Sequence, residues 1–89
     1  MKYKREINKL EEMLAKTKAN YKLYFSFDGF QIILFDNNNK ILSDAICHSG
    51  SYGHENDLLE ICGLGAETNE DIEGYLTAEE VFQRWQPYI

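Results

Sequence analysis

The stretch YKLYFSFDGFQIILFD, residues 21–36, decides the fold. Tyr21, Leu23, Phe25 and Phe27 alternate with Lys22, Tyr24 and Ser26, the period-two pattern of a β-strand. Asp28-Gly29 signals a two-residue turn, because a type I′ turn needs positive φ at both central positions. A turn there pairs Phe27 with Phe30, Phe25 with Ile32 and Leu23 with Leu34, all on one face. The other face carries Ser26/Gln31, Tyr24/Ile33 and Lys22/Phe35 and is also partly apolar. Both faces of this hairpin are therefore expected to be covered in part.

Downstream, DNNNK (residues 36–40) is a second turn, since Asn tolerates left-handed φ. ILSDAIC (41–47) follows as a third strand, with Ile41 and Leu42 both open as its inward residue. HSGSYGHEN (48–56) is a Gly/Ser loop. Asp57, with Glu60 three residues on, predicts a capped short helix ended by Gly63 and Gly65. AETNEDIEG (66–74) predicts a polar acidic loop. Thr77 and Glu80 form a capping box, Leu76 can staple onto Val81, and Val81, Phe82, Trp85 and Tyr88 give the last helix an apolar face that Pro87 ends.

Upstream, Ile7, Leu10 and Leu14 recur at spacings of three and four, with Tyr3 before them and Met13 beside them. This predicts a helix over 3–18 with a narrow apolar stripe. Glu12 stands four before Lys16, a favourable exposed pair. The heptad pattern is too short for a coiled coil. The expected order is α-β-β-β-α-α: a single α+β domain, 1–89, with a three-stranded antiparallel meander packed with helices.

The chain has 89 residues, five Phe, six Tyr and one Trp, enough bulk for one two-layer core. No apolar run reaches the roughly 20 residues of a membrane helix. The N-terminal stretch lacks an apolar signal-peptide core. Two cysteines without an export signal read as reduced thiols, so a cytoplasmic location is expected. The net charge is −6, unevenly spread. Residues 1–22 carry seven Lys/Arg against three Glu, and residues 54–89 carry nine Asp/Glu against Arg84 alone. An acidic chain is repelled by nucleic acid and anionic membranes, so the charge points to a protein partner with a basic surface or, more blandly, to solubility. The basic face of the first helix (Lys2, Arg5, Lys9, Lys16) carries no aromatic interleaving of a nucleic-acid reader and is read as a solvated face.

Both cysteines and both histidines fall within residues 47–62: Cys47, His48, His54 and Cys62. They offer soft metal ligands, but structural zinc sites use tight C-x₂₋₄-C pairs, and this spacing fits none. Adjacent Cys47 and His48 would point to opposite faces of a strand. A Cys/His nucleophile needs a nearby cation or helix N-terminus to make a thiolate. Cys62 is expected at a helix C-terminus, where the dipole disfavours a thiolate, and Cys47 has no Lys or Arg near it in sequence. Both thiols are therefore expected to be buried small apolar residues, and no catalysis or cofactor is expected. NEDIEGYLTAEE (69–80) also aligns with an EF-hand loop: Asn69, Asp71, Glu73, Gly74, Tyr75, Thr77 and Glu80 at positions 1, 3, 5, 6, 7, 9 and 12. Asn at the first position and Glu at the fifth depart from that pattern, and the capping box alone accounts for Thr77 and Glu80. A small metal-binding protein, by zinc or weak calcium, stands as an alternative function.

Glu67, Glu70, Asp71, Glu73, Glu79 and Glu80 form the sharper candidate. On one surface they would resemble a row of phosphates and suit a basic, nucleic-acid-binding groove on another protein. Tyr52, His54 and Glu55 are the candidate contacts in the preceding loop.

SGSYGHENDLLEICGL, an acidic spacer and GYLTAEEVFQRW together resemble short proteins of unknown function encoded by phages and prophages of Gram-positive bacteria. The matching residues lie within 49–85: Gly50 to Glu55, Leu58, Leu59, Glu60 and Gly74 to Phe82. The resemblance carries no catalytic residue. It implies an accessory protein that binds a host enzyme or defence complex, as inhibitors of CRISPR nucleases do. The expectation is a small binding protein acting on a host macromolecule, as a monomer or homodimer. A homodimeric structural module, formed through the first helix or the uncovered sheet face, is a further alternative.

Overall fold

The computed structural model describes residues 2–89. Helix α1 (Arg5–Ala15) is followed by β1 (Asn20–Ser26), β2 (Gly29–Phe35), β3 (Ile41–Cys47), a single 3-10 turn (His54–Asn56), β4 (Leu59–Gly63), β5 (Ile72–Leu76) and helix α2 (Ala78–Trp85), with a last 3-10 turn at Gln86–Tyr88. The strands form one antiparallel sheet in the order β1-β2-β3-β4-β5. The α+β class and the antiparallel meander are as expected. The meander has five strands rather than three, and the expected helix after residue 57 is a strand.

Two local causes explain that correction. Leu59 and Ile61 are fully buried while Glu60 is half-buried and Cys62 exposed. This alternation is the period of a strand, and it overrides the Asp57–Glu60 cap pattern. Asp57 instead sits at φ 56° and its carboxylate accepts the Tyr3 amide at 2.9 Å. In the segment read as an acidic loop, Ile72 pairs with Cys62 and Glu73 with Ile61, so its end (72–74) opens the edge strand β5 while 66–71 remain a loop.

The first hairpin keeps the expected faces but not the expected register. Ser26 pairs with Gly29, Phe25 with Phe30, Leu23 with Ile32 and Tyr21 with Leu34, two residues from the prediction. A slip of two preserves inside and outside. The turn is Phe27-Asp28, with Phe27 at φ 53°, a conformation bulky side chains seldom adopt. Gly29 serves another purpose. It is buried against β3, where a Cβ would collide with the Cys47 carbonyl oxygen. Asp28 accepts the Ser49 amide at 2.9 Å and ties the turn to the exit of β3.

One sheet face carries the core. Ile7, Leu10 and Leu14 of α1 and Ala78, Val81 and Trp85 of α2 pack on Phe30, Ile32, Leu34, Ala45, Cys47, Leu59, Ile61 and Leu76. Each large aliphatic side chain so buried stabilises the fold by roughly 2 kcal/mol. The Trp85 indole donates to Ser43 Oγ at 3.0 Å, and that hydroxyl donates to the Cys62 carbonyl at 2.9 Å, satisfying both buried polar groups. The capping box of α2 is formed as expected, Thr77 Oγ1 accepting the Glu80 amide and Glu80 Oε1 the Thr77 amide. At β3, Phe35 pairs with Ile41 and Leu34 with Ser43, so Leu42 falls in a bulge at the margin of the core and Ile41 is exposed. No helix among the described residues is long and apolar enough to cross a membrane.

Candidate functional site

The loop from His48 to Leu58 is built by its own polar groups. Ser51 Oγ accepts the His48 amide and donates to the His48 carbonyl. His48 Nδ1 accepts the Gly50 amide at 3.0 Å, and His54 Nδ1 is within hydrogen-bond reach of the Ser51 carbonyl at 2.7 Å. Arg5 holds the far side, donating to the Asn56 carbonyl at 2.7 Å.

This loop lies along β5. The Tyr75 amide donates to the Tyr52 carbonyl, and Tyr52 donates its own amide to Glu60 Oε1 at 2.9 Å. Gly74 admits the Tyr52 side chain so closely that a Cβ on it would collide with Tyr52 Cβ. The SYGHE and GYLT segments therefore interlock. Tyr52 and Tyr75 both remain more than half exposed. The Tyr75 hydroxyl beside Glu55 holds that carboxyl below its ordinary range, and Glu55 in turn raises the Tyr75 hydroxyl. Tyr52, His54 and Glu55 thus share one surface with Tyr75.

Two of the acidic residues, Glu67 and Glu73, pair with Arg84. Its guanidinium meets both carboxylate oxygens of Glu73, with Nη2–Oε2 at 2.9 Å, and lies 3.6 Å from Glu67. The hydrogen bond to Glu73, burial working against it, and the charges of Glu73, Glu67 and Glu80 together raise the Arg84 pKa. The same Arg84 contact, helped by the Glu67 amide, holds the Glu73 carboxyl below its ordinary range. Glu80 is turned toward its cap. Glu70 and Asp71 are exposed on the turn before β5, and Glu79 is exposed on the first turn of α2. The sequence placed six carboxylates together; the structure adds one guanidinium that orders two of them, Glu73 and Glu67.

The other candidates are scattered. Cys47 is in the core and Cys62 is exposed on the opposite sheet face, so the expectation that both thiols are buried holds for Cys47 alone. Cys47 and His48 do not divide between core and solvent, because the chain turns at His48 and both are buried. Residues 69–80 form a turn, a strand and a helix start, without the helix-loop-helix of an EF-hand, and Glu73 and Glu80 are spent on Arg84 and Thr77. No three or more His, Cys, Asp or Glu side chains among the described residues converge as metal ligands do.

Sequence patterning missed the outward aromatics. Phe25 and Phe27, placed by the alternation on one face with Leu23, are 87% and 90% exposed. The Phe25 ring lies 5.5 Å from that of Phe30, and Phe27 4.9 Å from the His48 ring. With Lys2, Tyr3, Asp28 and Gly29 they border a shallow hollow of about 380 Å³. Also missed was the content of the uncovered sheet face, where Asp44 sits in a row with Lys22, Ile33, Cys62 and Ile72. Burial raises the Asp44 carboxyl despite its 2.6 Å hydrogen bond from Gln31. No protein-family model, curated protein or solved structure matches this chain.

Proposed function

We propose that this chain is a small phage-type accessory protein, without catalysis of its own, that works in the host cytoplasm by binding a host protein. The docking surface is the acidic one around Arg84, and its target is a basic groove that otherwise holds nucleic acid, as in a CRISPR nuclease. One observation carries this reading: Arg84 holds Glu67 and Glu73, and four further carboxylates (Glu70, Asp71, Glu79 and Glu80) are exposed on the β4–β5 turn and the start of α2. Glu67 and Glu73 are held in place before any partner arrives, which lowers the ordering cost of association. Tyr52, His54 and Glu55, packed along β5, add an aromatic contact beside the charges, of the kind enriched at interfaces.

Capture from host lysate on immobilised protein, followed by competition, tests this. The expected partner binds nucleic acid, is displaced by added DNA or RNA, and dissociates as salt rises. The triple variant Glu70→Lys, Asp71→Lys, Glu79→Lys is expected to lose it, since none of the three supports the fold through a side-chain hydrogen bond. A partner that stays bound at high salt and ignores nucleic acid overturns the electrostatic mechanism.

A further inference from the structure

We propose that β1 is a self-association edge, on which two copies of this chain pair antiparallel about Leu23 to make one continuous ten-stranded sheet. β1 ends the sheet, and its register with β2 runs unbroken from Asn20 to Ser26 with no bulge and no proline. Such an edge is an open template where no bulge or proline blunts it, and its one charge, Lys22, is turned back over the Phe35 ring of β2, with Nζ 5.9 Å from the ring centroid. Here the side chains on its core side are Tyr21, Leu23 and Phe25.

The backbone selects the register. Ser26 and Gly29 flank the two-residue turn and form the hydrogen-bonded pair that closes it. Bonding alternates along an antiparallel ladder, so Tyr24, Lys22 and Asn20 bond to β2. The N–H and C=O groups of Tyr21, Leu23 and Phe25 therefore point to the free edge. A two-fold axis at Leu23 pairs Leu23 with its own mate and Tyr21 with the second copy's Phe25. All three outward residues of both strands are then satisfied. No other centre within β1 pairs all three.

The side chains agree with that register. Helix α1 packs mainly over β2 and β3, and α2 over β4, so β1 is covered only in part, with Tyr21 and Leu23 reaching the edge of the core. Tyr21 and Leu23 are left half-buried and Phe25 is 87% exposed. The axis stands normal to the sheet, so both helix layers lie on the same side, and these six side chains fill the gap between the two α1 helices. On the other face Lys22 falls opposite the second copy's Tyr24. The strand carries no carboxylate, so no acid faces acid across the seam, and each Lys22, drawn over its own Phe35 ring, stands opposite a Tyr24 rather than the other Lys22.

A single strand pair with one apolar row lies at the small end of stable interfaces, so association is concentration-dependent. Sedimentation equilibrium and amide hydrogen exchange on the wild-type chain, at ~10 µM and ~1 mM, test it. The average mass should rise from 10.4 kDa toward twice that value. Exchange at Tyr21, Leu23 and Phe25 should slow about tenfold or more with concentration, while exchange in β5 stays unchanged. Phe25→Lys places a charge on the seam from an already exposed position and should weaken association at least about tenfold. A chain that stays monomeric throughout overturns the proposal. So does a dimer whose Tyr21, Leu23 and Phe25 amides remain open, or one that Phe25→Lys leaves intact. Failure to find a nucleic-acid-binding host partner does not bear on this edge.

Discussion

The carboxylate of Glu6 accepts the Ala78 amide at 2.8 Å, so the first helix closes the start of the last. Glu6 is 3% exposed, with Arg5 Nε at 3.0 Å and Lys9 Nζ at 3.5 Å supplying charge from its own helix. It satisfies an amide at the start of α2 that has no partner within its own helix.

Stability should follow the Glu6 charge. Burial pushes this carboxyl up, but the Ala78 amide, Arg5 and Lys9 together outweigh it and hold the pKa below the ordinary 4.5. A folded-state pKa below the unfolded one stabilises the fold above the unfolded value, and the gain is lost as pH falls through the folded value. Glu6→Ala should therefore cost about 2 kcal/mol at pH 7, the scale of a buried charge-assisted hydrogen bond. Glu6→Gln should flatten the acid limb of the pH dependence. Urea midpoints measured from neutral to acidic pH check both, and a Glu6→Gln curve parallel to wild type would contradict the assignment.

Gly29 should be the least replaceable residue of the first hairpin. A Cβ there collides with β3 backbone at Cys47, which cannot swing aside as a side chain can. Gly29→Ala should destabilise by about 3 kcal/mol or more, at or beyond the upper range for overpacking. Asp28→Ala removes one exposed contact to Ser49 and should cost far less than Gly29→Ala. Thermal melts of the two variants give the order; equal losses would mean that Gly29 serves the turn rather than the packing.

The two thiols should separate cleanly in a labelling experiment. Burial, then the Asp57 and Glu6 charges, push the Cys47 thiol up to about 12 against an opposing pull from Arg5. Cys62 is exposed, though partial burial and the carboxylates of Asp44, Glu60 and Asp71 raise its pKa too. Near pH 8 a thiol reagent should modify Cys62 slowly and Cys47 only upon unfolding, because the thiolate is the reacting species. Peptide mass spectrometry after timed labelling reads this directly. Early modification of Cys47 would show that the core opens without global unfolding.

Much of the fold was legible where one periodicity stood alone. The Ile7, Leu10 and Leu14 stripe, the β1–β2 alternation and the Thr77–Glu80 box each describe what the structure contains. The losses came where two signals competed. Asp57 and Glu60 spell a helix start, yet Leu59 and Ile61 alternate as a strand, and burial of two aliphatic side chains outweighs a cap of about 1 kcal/mol. Asp28-Gly29 spells a turn, yet Gly29 is required for close approach to β3, a contact between residues far apart in sequence. The candidate site was half legible for the same reason. The acidic run is visible as letters, whereas Arg84 ordering Glu73 and Glu67 depends on α2 lying beside β5.

The strand order has a consequence in time. Each strand pairs with the one that follows it, through connections short enough to close quickly. Glu6 and Ala78 are 72 residues apart and meet only when α1 and α2 lie together on the finished sheet. The hairpins can zip in sequence, each templating the next, while the contact that binds first helix to last is the slowest to be found. A chain with that order folds like a strap drawn through successive loops and fastened at the end, where the Glu6 carboxylate joins the packed faces of α1 and α2.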